Sequence, residues 1–170
     1  IVNACQNLGQ DVQPDPIVAE TMRNLYDGVP MEEVYKASIL ASRTLIEKDP
    51  DYTYVTARLL MHTIAKEVLG KEVLLKDMPA HYVDYFPGYI KKGVDNGLLD
   101  EKLLQFDLRK LATALKAERD LQFDYLGLQT LYDRYFLHVR KTRIELPQSF
   151  FMRVAMGLAL NEADREARAI

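Results

Sequence analysis

LPQSFFMRVAMGL, residues 146–158, is the most apolar helical stretch of the chain, and the other segments have to be read as its neighbours. Pro147 suits a first helical turn, where its missing N–H costs nothing. Phe150, Phe151, Val154, Ala155 and Leu158 then recur at helical spacing, with Met152 and Met156 on the flank and Arg153 as the only charge. The pattern predicts a helix buried almost all round, closing a helical module whose further partners lie beyond Ile170. Upstream, YLGLQTLYDRYF from Tyr125 to Phe136 reads as helix. FLHV, RKT and RIEL read as strand, connection and strand of a hairpin, although RKT lacks the Asn-Gly signal of a two-residue turn.

Working outward, residues 1–8 place Ile1, Val2, Cys5 and Leu8 at helical spacing. Asp15 is placed to cap a helix with Pro16 at its first position and Ile17, Val18, Thr21, Met22 and Leu25 inward. Pro30 opens a second helix, with Glu32 and Glu33 at the positive end of its dipole and a seam of Val34, Ala37, Ala41 and Leu45. Asp49-Pro50-Asp51 turns the chain into a longer helix that presents Tyr54, Ala57, Met61, Ile64, Ala65 and Val68 and stops at Gly70. Four amphipathic helices within 70 residues imply a small antiparallel bundle. Periodicity lapses between Lys71 and Pro79, which places a boundary near residue 72. Beyond it, Phe86-Pro87-Gly88 interrupts or kinks a helix, EKLLQF is a short helical piece, and Asp107 caps LRKLATALKAERD with Leu108, Leu111, Ala112 and Leu115 inward. The fold class is therefore mainly α: a bundle over 1–72, then a second helical module over 73–170 with one short β-hairpin.

Composition narrows the function. With 170 residues, 28% charged and a net charge of −3, the chain has no basic field for nucleic acid. No apolar run reaches the roughly 20 residues that span a bilayer, and no basic, apolar leader opens it. A single cysteine excludes an internal disulfide framework and fits a cytoplasmic protein. The start at Ile1 and the unstopped helical pattern NEADREARAI read as a piece of a longer polypeptide.

No catalytic set stands out. His62, His81 and His138 lack a second ligand at metal spacing, so no metal site is expected. His62 reads as a structural histidine and Cys5 as a small buried side chain. Asp49, Asp51, Glu32 and Glu33 are explained by helix starts rather than acid–base work. Tyr52, Tyr54, Tyr82, Tyr85 and Tyr89 are placed at the edge of the core.

Two blocks carry a family resemblance. DYTYVTARLLMHTIAKEVLG, preceded by YDGVPMEEV, resembles the end of the ATP-cone of ribonucleotide reductase large subunits. The pieces ERD…F.Y.G..TL...Y and PQ..FMRVA.G resemble the helical N-terminal domain that follows the cone in class I enzymes. The resemblance implies a parent enzyme that reduces ribonucleoside diphosphates by radical chemistry, with ATP or dATP as allosteric effectors, a radical-generating small subunit as partner, and self-association of the large subunit. It also implies that catalytic cysteines and the substrate loop lie in an α/β barrel after Ile170, leaving no catalytic residue here. Lys66 matches a lysine that meets nucleotide phosphates. Met31 and Tyr35 stand where many nucleotide-binding cones carry threonine and histidine, as in an inner, degenerate cone. The family's V.KR.G hairpin would precede Ile1. From the residues alone, the alternative is a free-standing helical module that binds protein partners through an apolar groove.

Overall fold

The computed structural model describes residues 1–170: eight α-helices, four short 3-10 turns and a single two-stranded antiparallel hairpin. The chain divides into two compact units, Ile1–Thr63 with Leu121–Thr130, and Ile64–Asp120 with Leu131–Ile170.

In the first unit, α1 (Asp15–Arg23) packs on α2 (Met31–Thr44), and the first part of α3 (Tyr52–Leu69) completes the core. Ile17, Ala41, Tyr52 and Val55 are buried together with Ala4 and Val12 from the preceding segment. Ser42 and Thr56 share a buried hydroxyl hydrogen bond of 2.9 Å, which satisfies two polar groups inside this seam. Residues 1–8 do not form a helix of their own; only a 3-10 turn, Val2–Cys5, is present. It is held from outside, because Arg58 donates to the carbonyls of Ala4 and Gln6 at 2.9 and 2.7 Å. The cap of α1 is Pro14, not Asp15. Asp15 is already helical, and its carboxylate lies in the first turn where the dipole favours it. Along α1 only Ile17 and Thr21 are buried, while Val18 and Met22 are exposed.

In the second unit, α4 (Met78–Asp95) is the central helix. It packs on α5 (Leu108–Ala114) and α7 (Pro147–Ala159), and α8 (Arg165–Ala169) closes against α5 and α7. The expected interruption at residues 86–88 is absent. Helix α4 runs through Pro87, with Phe86, Tyr89 and Ile90 on either side fully buried; burying this aromatic face outweighs the one backbone bond that proline removes. Asp107 caps α5 as expected, its Oδ1 accepting from the Lys110 N–H at 2.9 Å. The helix is shorter than its pattern: it ends at Ala114, Leu115 is extended, and Ala117–Gln122 forms a 3-10 turn.

Helix α6 (Tyr125–Arg134) leads into the hairpin, β1 (His138–Val139) and β2 (Thr142–Arg143), in which Val139 pairs with Thr142. The connection is two residues, Arg140 and Lys141, rather than RKT. Both take positive φ, 49° and 72°, the conformation that two-residue hairpins require and that asparagine and glycine fill most easily.

The face of α7 is the largest departure from expectation. Its buried residues are Pro147, Gln148, Ser149, Met152, Met156 and Ala159, whereas Phe151, Val154 and Leu158 are exposed, Leu158 by 82%. The helix is therefore covered on one side, not all round. Apolar residues lie on both sides of it, so periodicity alone could not choose the covered side; the flexible methionines fit the irregular gap against α4.

Candidate functional site

Lys66 lies near the end of α3 and is held in an ion pair with Glu72 at 2.9 Å, its side chain about one-third exposed. The neighbouring Glu67 has a structural role in the second unit. Its Oε2 accepts from the Tyr132 hydroxyl at 2.6 Å and its Oε1 from the Arg143 N–H at 2.7 Å, and the Arg143 guanidinium lies 4.4 Å from the centroid of the Tyr132 ring. Burial first, then this carboxylate, pushes the Tyr132 phenol up to about 12. The end of α3, α6 and the hairpin are thereby fastened at one carboxylate.

In the first unit, His62 meets Tyr35 edge-on with ring centroids 5.3 Å apart, which accounts for its place on an apolar helix face. Cys5 is half-buried, and burial raises its thiol pKa, so it is not an activated nucleophile. Asp49 accepts from the Asp51 N–H at 2.9 Å, and Asp51 from the Gly9 N–H at 3.2 Å; Glu33 pairs with Lys36. Met31 is exposed. No group of three or more His, Cys, Asp or Glu side chains is arranged to hold a metal, and no helix is long and apolar enough to cross a membrane.

The polar chemistry that the sequence did not reveal lies between α4 and the start of α7. Tyr82 and Tyr89 are not at the core edge; both are fully buried, and each hydroxyl meets a buried carboxylate. Tyr89 donates to Glu145 Oε1. That carboxylate also accepts from Arg153 and, through Oε2, from the Leu137 N–H at 2.8 Å. Burial and then the Glu145 charge raise the Tyr89 phenol far above its ordinary value, so it stays a donor. Burial works against the Arg153 cation, but the Glu145 hydrogen bond and charge outweigh it and leave its pKa raised. The second carboxylate, Asp120, accepts from the Tyr82 hydroxyl at 2.7 Å and from Gln148 Nε2 at 2.8 Å, and no cation pairs with it. Burial outweighs those hydrogen bonds and lifts it to about 6. The one visible hint was the spacing of Tyr82, Tyr85 and Tyr89, which puts three phenols along one side of α4. Glu145 and Asp120 gave none.

Asp120 ends the ERD piece and Gln148 belongs to the PQ piece, so the two motifs meet at this network. Residues 121–170 match the family described as "Ribonucleotide reductase, all-alpha domain". Over 170 residues, all of this chain, it is 44% identical to the alpha subunit of ribonucleoside-diphosphate reductase from Chlamydia trachomatis. Along its whole length the chain is therefore similar to ribonucleotide reductase large subunits. The alpha subunit from Helicobacter pylori is 34% identical over 164 residues, 95% of this chain, and that of bacteriophage T4 is 29% identical over 157 residues, 91% of this chain.

The chain spans 16% of the length of the chlamydial relative and 20% of the Helicobacter one. Residues 121–170 match the all-alpha domain, and the only sheet of the chain is the hairpin of two two-residue strands. The matched segment, α6 through α8, contains Glu145, Gln148 and Arg153 of the buried network, while Tyr82, Tyr89 and Asp120 lie before it.

Proposed function

We propose that this chain is the regulatory and structural N-terminal part of a reductase large subunit, which converts ribonucleoside diphosphates to deoxyribonucleotides for DNA synthesis in the cytoplasm. The observation that carries this is the alignment across the whole chain at 44% identity with a protein named for that activity. On this reading residues 1–72 are an ATP-cone lacking its N-terminal hairpin, and residues 73–170 begin the helical domain that supports the barrel. The partners of the parent enzyme are a radical-generating small subunit and further copies of the large subunit, with ATP and dATP as overall effectors.

Lys66 is the residue of this chain proposed to meet nucleotide phosphate. It is a cation of α3 at the position of the family's phosphate lysine, and its ion pair with Glu72 is at the surface, where opening it costs about 1 kcal/mol or less. The parent large subunit, assayed with its small subunit, should reduce a ribonucleoside diphosphate; no turnover with any intact pairing would refute the function. Lys66→Ala in that enzyme should weaken inhibition by dATP, and an unchanged dATP titration removes Lys66 from the effector site.

A further inference from the structure

Lys116 and Arg119, Gln148, Phe151 and Met152 of α7, and Ala169 of α8 line a groove of about 140 Å³ within the second unit. Gln148 supplies the only neutral polar side chain in its wall, and that amide is gripped from behind. Its Nε2 donates to Asp120 Oδ1 at 2.8 Å, while its backbone N–H donates to the Tyr82 hydroxyl oxygen at 3.2 Å. An ionised carboxylate can only accept, so it fixes the amide with Nε2 inward and leaves Oε1 for the groove. Tyr82 already occupies Oδ2 with its own proton at 2.7 Å, so a proton added to Asp120 goes to Oδ1, the oxygen that faces Gln148. That oxygen then donates, and the amide satisfies it only by turning over, Oε1 inward and Nε2 outward.

We propose that Asp120 and Gln148 form a proton-controlled donor/acceptor switch in the wall of this groove, and that the groove takes a carboxylate when the switch is protonated. With Asp120 ionised the wall offers a carbonyl oxygen, which repels an anion. With Asp120 protonated it offers an N–H in a wall that also carries Lys116 and Arg119, a set that complements a carboxylate. The groups facing Asp120 are the Tyr82 phenol from α4, the Gln148 amide from α7 and Glu118 from its own turn, and no lysine or arginine forms an ion pair with it. Burial without a counter-charge lifts its pKa to about 6, within reach of mild acid. Glu145, also buried, is instead paired with Arg153. By linkage, a carboxylate in the groove and a proton on Asp120 favour one another equally.

The test is nitrogen-15 NMR on the full chain with two probes that are mostly ionised at both pH 5 and pH 8, their affinities referred to the ionised form: formate as a free small acid, and N-acetylglutamate amide as a polypeptide side chain. The Gln148 side-chain amide, assigned by its disappearance in Gln148→Leu, should titrate in the wild type as Asp120 takes up its proton. Carboxylate should perturb it and bind about tenfold or more tighter at pH 5 than at pH 8. In Asp120→Asn the asparagine amide donates to Gln148 Oε1 at every pH, so binding should stay at the acid strength at both. Tighter binding of formate would assign the groove to a small acid, and tighter binding of the glutamate probe to a protein side chain; both support the switch. A wild-type Gln148 amide that does not titrate, or wild-type carboxylate affinity equal at the two pH values, overturns it, whether or not the asparagine variant folds.

Discussion

Gln148, in the first turn of α7, donates Nε2–H to Oδ1 of Asp120 at 2.8 Å, joining a 3-10 turn to a helix 28 residues further along the chain. Because Tyr82 of α4 meets the same carboxylate, a single buried group holds three elements of the second unit together. Neutral donors alone satisfy it, and burial without a counter-charge makes this joint sensitive to protons.

The sign of that sensitivity follows from the direction of the shift. Asp120 titrates at about 6 in the folded chain, above an ordinary carboxyl, so folding favours its protonated form. Its stabilising contribution is fully present below the unfolded pKa and is lost as pH rises through 6. Over that window it amounts to at most about 3 kcal/mol. Thermal melts should therefore show wild type gaining on Asp120→Asn as pH falls from 7 to 5. A constant difference between the two would show that Asp120 titrates normally.

Glu145 is expected to be the most sensitive single position. Its removal leaves the Tyr89 hydroxyl, the Arg153 cation and the Leu137 N–H without their acceptor. Glu145→Ala should cost about 3–5 kcal/mol in urea unfolding. Adding Arg153→Met to it should recover part of the loss, because the unpaired charge is then gone.

Two glycines of α4 should respond in opposite directions. A Cβ on Gly93 would lie 2.5 Å from Leu99 Cδ1, while one on Gly88 meets nothing within 4 Å. Gly93→Ala should destabilise by about 1–3 kcal/mol through crowding. Gly88→Ala should stabilise by about 0.5–1 kcal/mol through helix propensity. Equilibrium denaturation of the two variants checks both.

The one-sided burial of α7 is checked by comparing its methionine side with its leucine side. Met156→Ala, at a fully buried position, should cost about 2–5 kcal/mol. Leu158→Ala, at an exposed one, should change stability by less than about 0.5 kcal/mol. Comparable losses at both sites would return α7 to a helix enclosed on both sides.

By itself the sequence determined the helical class, the stop of α3 at Gly70, the cap at Asp107 and the place of a hairpin, because capping, turn chemistry and the 3.6-residue period act over a few neighbours. The family resemblance was also legible, since ERD and PQ are strings. The tertiary structure alone decided which side of α7 is covered, that α4 continues through Pro87, and that Tyr82 and Tyr89 are buried. Each of those depends on what a distant segment brings against the helix: a helix with apolar residues on two sides has no local reason to prefer one, and a phenol is buried without penalty only where a remote acceptor takes its hydrogen bond. The meeting of Asp120 with Gln148 is of the same kind, since no local rule relates two polar residues placed on separate elements until the fold closes them together.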